Sequence, residues 1–146
     1  MKIFLDTSTL FKLYHLESGT KQLILFFKST MIESVFLSEI TKLEFDSVVW
    51  KKVRKREIDD KKAQGLIKNF ENDWGKFSFI NDDAQLKHKA RQLISKYGND
   101  GLRTLDSIQL ASAIHIKKEA DLFFTDDYLL LKLFKKEKLH TEILKQ

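Results

Sequence analysis

The chain contains no cysteine and no proline. Without thiols there is no disulfide scaffold and no thiolate metal site, as expected of a protein working in the cytosol. Glycine occurs only five times, scattered. There is no Pro/Gly/Ser-rich linker, internal repeat or low-complexity tract, so a single domain over residues 1–146 is expected. Apolar runs are short and interrupted, which excludes a transmembrane helix. Met1 leads directly into an apolar run, without the basic region, hydrophobic region and cleavage site of a secretory signal. The patterns GxxxxGK[ST], GxGxxG and GxSxG are also missing, so kinase-like, dinucleotide-binding and serine-hydrolase chemistry have no support. The four histidines, His15, His88, His115 and His140, are dispersed and lack zinc-site spacing.

What remains is an ordinary globular composition: 146 residues, 42% hydrophobic and 32% charged. That length buries a sizeable core. Lysine and arginine number 26 against 21 acids, a net charge of +5. If several acids hold a cation, the remaining surface is more basic still and suits a polyanionic partner. The densest basic run, Lys51-Lys52-Val53-Arg54-Lys55-Arg56, reads as a solvated helix face, because it lacks the interleaved aromatics of a base-stacking surface.

Short apolar runs alternate with longer amphipathic stretches. Strands are expected at Lys2–Leu5, Val35–Leu37, Phe77–Ile80 and Leu122–Thr125, with an edge strand near Thr141 to Leu144. Helices are expected over Leu10–Leu16 and Lys21–Lys28, the second capped by Ser18 or Thr20. Another follows Ser38 as its cap, with Ile40, Leu43, Ser47, Val48 and Val53 at helical spacing. Ile58-Asp59-Asp60 opens a further helix through Phe70. Asn81 or Asp82 caps one that stops near Gly98, and Thr104 caps one that runs to about Lys118. A last helix falls within residues 128–146. This alternation predicts an α/β domain with a mainly parallel sheet covered on both faces. Such sheets bind ligands outside the carboxyl ends of their strands.

Four acids stand out against this pattern. Asp6 ends the first strand, and Asp126-Asp127 end the last. Glu44 lies four residues from both Ile40 and Val48, on an inward helix stripe. Asp106 lies four from both Leu102 and Leu110, in a helical first turn. The helix dipole there favours its ionised form by about 0.3–1 kcal/mol. Each acid has a bland reading taken singly: a cap, a core ion pair, a helix-start acid, a turn. The joint pattern favours a shared cation site. Two carboxylates about 4 Å apart repel by about 4 kcal/mol at an effective dielectric near 20. Mg²⁺ or Mn²⁺, which take oxygen ligands, removes that conflict. Metal-dependent hydrolysis of a phosphodiester is the chemistry such a site performs.

These residues carry a family resemblance. Ile3-Phe4-Leu5-Asp6-Thr7-Ser8 resembles the opening strand of PIN-domain proteins, in particular VapC-type toxins of toxin–antitoxin pairs. Ser38 to Phe45 is similar to the segment with the second acid. Leu102 to Ala113 closely resembles the segment with the third, and Phe123-Phe124-Thr125-Asp126-Asp127 the closing strand and fourth acid. The resemblance covers nearly the whole chain. It implies a three-layer α/β/α sandwich and a Mg²⁺- or Mn²⁺-dependent endoribonuclease with Asp6, Glu44, Asp106 and Asp127 as catalytic, metal-binding acids. Asp127 is preferred to Asp126 because the family pattern is Thr, any residue, Asp; the doublet leaves the choice open. Ser8 and Thr125 are implied as supporting hydroxyls. The resemblance also implies an RNA substrate, a small antitoxin partner and a homodimer, with contacts placed in the helical region 41–74. Trp50 and Trp74 are candidate interface anchors there, with core packing as the alternative. The competing functional readings are a non-catalytic PIN-like module that binds RNA or protein, and an RNA-processing or structure-specific DNA nuclease without an antitoxin.

Overall fold

The computed structural model describes residues 1–142 and 144. Its chain order is β1 (Lys2–Leu5), α1 (Thr7–Phe11), α2 (Thr20–Ser29), β2 (Ser34–Ser38), α3 (Thr41–Arg54), α4 (Asp60–Asp73), β3 (Ser78–Ile80), α5 (Ala84–Tyr97), α6 (Thr104–His115), β4 (Leu122–Phe124) and α7 (Tyr128–Lys136). Short 3-10 turns at Trp74–Lys76 and Gly98–Asp100 lead into β3 and away from α5.

The four strands form one parallel sheet in the order β3-β2-β1-β4. Ile3 pairs with Val35 on one side and Leu122 on the other; Leu37 pairs with Phe79. Strand side chains alternate between faces, and the register makes the alternation coherent. Ile3, Leu5, Val35, Leu37, Leu122 and Phe124 pack with residues of α1, α3 and α4. Phe4, Phe123 and Ile80 pack with α5, α6 and α7. The result is the expected three-layer α/β/α sandwich. Continuous apolar strands are required because both faces are dry.

The strand order also fixes where a site can form. From β1 the chain steps to β2 and β3 in one direction, then returns across the sheet to β4 on the far side of β1. The carboxyl ends of β1 and β4 therefore flank the point where the winding reverses, which opens a crevice. Asp6 follows β1 directly, and Asp126-Asp127 follow β4 after Thr125.

Several local expectations are corrected. The first helix is only Thr7–Phe11, capped by Asp6, whose side chain accepts from the Thr9 amide. Neither Ser18 nor Thr20 caps α2; Gly19 does so at φ 92°, a left-handed conformation that glycine adopts without a Cβ penalty. Ser38 is not a cap for α3 but the buried end of β2, bonded to the Ser112 hydroxyl of α6 at 2.9 Å. Asp83, rather than Asn81 or Asp82, caps α5. Thr104 is the first helical residue of α6, after Arg103, and that helix stops at His115. The proposed edge strand near Thr141 lies partly outside the described residues; Thr141 itself makes an isolated parallel bridge with Phe123. No helix among the described residues is long and apolar enough to cross a membrane.

Candidate active site

Asp6 sits at the centre of the crevice. It is 2% exposed and its carboxylate is fully engaged by short-range donors. Oδ1 accepts from the Thr9 amide at 3.0 Å and the Ser8 hydroxyl at 2.8 Å, and Oδ2 accepts from the Thr125 hydroxyl. Those two hydroxyls are themselves held by the opposite loop. The Asp126 amide donates to Ser8 Oγ and the Asp127 amide to Thr125 Oγ1, each at 3.0 Å. Ser8 and Thr125 thus tie the ends of β1 and β4 together through one carboxylate. Despite this support, burial dominates and pushes Asp6 up from 3.8 to about 6; the hydrogen bonds from Thr125, Thr9 and Ser8 oppose it.

Glu44 enters from α3. The buried stripe of that helix is Thr41, Phe45 and Val49, so Glu44 lies beside it rather than on it, at the half-buried border with Val48. That border position lets the carboxylate reach the crevice. Its Oε1 accepts from the Thr7 hydroxyl at 2.9 Å and the Gln109 amide at 2.7 Å. Gln109 Nε2 also reaches the hydroxyls of Thr7 and Thr41, both at 3.0 Å. Thr7, Thr41 and Gln109 are all buried. Gln109 Oε1 and Thr9 Oγ1 are buried without a partner. The bland alternative for Glu44, a core Lys or Arg partner, is absent: among the described residues none of Asp6, Glu44, Asp106 or Asp127 makes a salt bridge.

Asp106 occupies the first turn of α6. Burial raises its pKa first, and the negative charges of Asp127 and then Glu44 raise it further, with Arg103 opposing. Asp127 also caps α7, accepting from the Leu130 amide at 2.8 Å through Oδ1. Asp126 points elsewhere: its carboxylate is 3.1 Å from the Lys12 ammonium. The two carboxylates of the doublet thus make different contacts, Asp127 with the α7 amide and Asp126 with Lys12.

Among the described residues, no three acidic or histidine side chains are drawn close enough to form a ready-made ligand cage. The donor set still fits a hard divalent ion. It is all oxygen, it carries no internal cation, and Mg²⁺ characteristically binds through one or two carboxylates while keeping several waters. An open arrangement suits that mode better than a closed cage.

A groove of about 350 Å³ opens beside Glu44, lined by Leu43, Asp46, Ser47, Trp50 and Leu105 as well. A larger cavity of about 460 Å³ lies instead between β3, α5 and the end of α6. None of the acids lines it. Trp74 packs against Phe70 and Phe79 under the Lys42 ammonium, so it belongs to the core edge; Trp50 is 37% exposed.

Sequence reasoning missed Thr7, Thr41, Gln109 and Lys12. Gln109 had a visible signal: Ser107 to Ala113 is apolar or small apart from this one amide, and all of it is buried. A lone polar side chain in a helix buried all round must have a polar partner.

Comparison with known proteins now defines the class. The family model for the PIN domain matches residues 3–136, and the chain belongs to that family. Among solved structures it is similar to VapC20 from Mycobacterium tuberculosis, a sarcin-ricin loop cleaving toxin. The TM-score is 0.68 at 15% identity, over 90% of this chain and 94% of that one. It is similar to FitAcB from Neisseria gonorrhoeae, with a TM-score of 0.68 at 19% identity over 97% of both chains. VapBC-1 from nontypeable Haemophilus influenzae also has a TM-score of 0.68, at 11% identity over 100% of both chains. No curated protein matches the sequence.

Proposed function

We propose that this PIN-domain chain is a metal-dependent endoribonuclease, the toxin of a toxin–antitoxin pair. The observation that carries the reading is the placement of Asp6 and Asp127 after the carboxyl ends of β1 and β4, where the sheet's winding reverses, with Glu44 on α3 and Asp106 in the first turn of α6. Among the described residues none of the four makes a salt bridge. Asp6, Glu44, Asp106 and Asp127 would hold Mg²⁺ or Mn²⁺. When bound, the ion lowers the pKa of water, orients the phosphodiester and steadies the leaving oxygen.

The chain's own residues supply the rest. Ser8 and Thr125 fix the Asp6 carboxylate between β1 and β4. Gln109 and Thr7 hold Glu44 Oε1. Asp106 has no hydrogen-bond donor of its own among the described residues and its pKa is raised. Its carboxylate would therefore be free to bind the ion or to orient an attacking water. The net charge of +5 favours a polyanionic substrate.

The likeness to VapC20, a toxin that cleaves the sarcin-ricin loop, supports an RNA substrate. The likeness to VapBC and FitAB structures supports a protein partner, and a homodimer is part of the same proposal. The helical region 41–74 and the exposed Leu43 and Trp50 are where we place those contacts. A cytosolic location fits the absence of thiols.

The test is cleavage of a mixed RNA pool by purified protein with Mg²⁺, Mn²⁺ or EDTA, beside Asp106→Asn. Metal-dependent cutting that the variant lacks is expected. A folded, partner-free protein that cuts with neither metal and binds neither would overturn the reading in favour of a binding module.

A further inference from the structure

Among the described residues, Lys12 is the one lysine that is almost wholly buried, at 2% exposure. It lies one residue past α1, between the apolar Phe11 and Leu13. A buried ammonium is costly unless its protons are all used. Here Nζ donates to the Ser18 carbonyl and to Glu17 Oε1 at 3.3 Å, and it forms an ion pair with Asp126 Oδ2 at 3.1 Å. Its stem is covered by Gly19, where a Cβ would meet Lys12 Cε at 3.4 Å and Nζ at 3.6 Å. The backbone there is left-handed at φ 92°, so glycine is favoured twice over.

The far end of this arrangement is the metal-site loop. Asp126 and Asp127 are adjacent carboxylates on the segment leaving β4. Their amides are pinned to Ser8 and Thr125, which fixes the backbone but not the choice of side chain. Lys12 makes that choice. It draws Asp126 back toward α1, and Asp127 is left to face Asp106 while capping α7. We infer that Lys12 is a positioning residue that holds the half-exposed Asp126 carboxylate toward α1 and so sets which carboxylate of the doublet enters the acidic site. Being buried, it acts on the site only through Asp126. The inference rests on the acid-site reading given above.

The test uses the full chain as Lys12→Met, Asp126→Asn and the double variant. Circular dichroism and thermal melts check folding, Mn²⁺ titration by electron paramagnetic resonance reads affinity, and initial cleavage of a mixed RNA pool reads turnover. With Lys12 present, Asp126→Asn is expected to change Mn²⁺ affinity by less than about twofold. With Lys12→Met, the freed Asp126 competes for the ion. Asp126→Asn then changes affinity by about fivefold or more, within the range of coupled neighbours. Lys12→Met alone is expected to slow cleavage by about tenfold, and adding Asp126→Asn to recover most of that loss. A purely structural lysine gives no such recovery, because its contacts with Ser18 and Gly19 stay broken.

Equal effects of Asp126→Asn in both backgrounds overturn the inference. So does a folded Lys12→Met whose cleavage Asp126→Asn fails to recover. If Lys12→Met does not fold, Lys12→Arg decides: retained charge should keep Asp126→Asn neutral for Mn²⁺, and a loss above about fivefold refutes the role. A wild-type chain that binds no Mn²⁺, or binds it equally well as Asp106→Asn, refutes the acid site itself and the lysine's role with it.

Discussion

Asp6→Asn should make the metal-free protein more stable while destroying its response to metal. In the fold, burial raises the Asp6 carboxyl from 3.8 to about 6. An acid whose folded pKa is raised opposes folding once ionised. The penalty is absent below the unfolded value of 3.8, grows as pH rises, and is complete above about 6. The gap spans a little over two pH units at about 1.4 kcal/mol each, so at pH 7.5 the ionised form costs about 3 kcal/mol. Asparagine keeps an oxygen for the Thr9 amide and Ser8 hydroxyl but turns an NH₂ toward Thr125, a mismatch of about 1 kcal/mol. The expected net gain is about 2 kcal/mol, or about 4–8 °C in Tm for a chain of this size.

The assay is urea denaturation in EDTA of wild type and variant at pH 4 and pH 7.5. The variant should be less stable than wild type by about 0.5 kcal/mol at pH 4, where the mismatch outweighs the small ionisation penalty, and more stable by about 2 kcal/mol at pH 7.5. Repeating the measurement with Mn²⁺ should reverse the order, because an ion at 100 times its Kd stabilises the wild-type fold by about 2.7 kcal/mol. A variant no more stable than wild type at pH 7.5, or a difference that ignores pH, would refute the reasoning that Asp6 is held ionised against its burial for a cation.

Other outcomes follow from the same geometry. Asp127→Asn keeps an acceptor for the Leu130 amide, so melting should change little while Mn²⁺ affinity and cleavage collapse; Asp127→Ala should lose about 1 kcal/mol of stability in addition. Gln109→Leu removes a donor from Glu44 Oε1 but also an orphaned buried carbonyl. Stability should therefore move by no more than about 1 kcal/mol while cleavage falls about tenfold, read by melts beside initial rates. Phe45→Ala, at 0% exposure among Phe11, Tyr14 and Phe70, should cost about 3–5 kcal/mol in urea denaturation. Asp106→Asn should retain RNA in a gel-shift assay yet cut none of it; loss of binding together with cutting would count against a purely chemical role.

What could be read from the chain follows the physics of each feature. The strands were legible because a sheet dry on both faces needs unbroken apolar runs, and Ile3-Phe4-Leu5 and Leu122-Phe123-Phe124 are such runs. The acids were legible because a carboxylate at a strand end or beside a buried stripe is expensive, and expense that recurs four times implies a shared cause. Helix starts were less legible, since several residues near each start can cap and only the backbone angle decides: Asp83 won over Asn81 and Asp82, and Gly19 over Ser18 and Thr20. Least legible were the groups that act across the fold. Gln109 bonds residues 65, 68 and 102 positions away, and Asp126 meets a lysine from the other end of the chain. No local pattern encodes those partners. Even so, each such group left a trace in the sequence, as a polar residue inside an apolar context: Lys12 between Phe11 and Leu13, Gln109 between Ile108 and Leu110. In a fold whose acids must be held apart yet aimed together, such residues are needed because an uncompensated carboxylate is stable only when something else fixes it. Here the fixing is done by buried or half-buried polar groups, Thr7 and Gln109 for Glu44 and Ser8, Thr9 and Thr125 for Asp6.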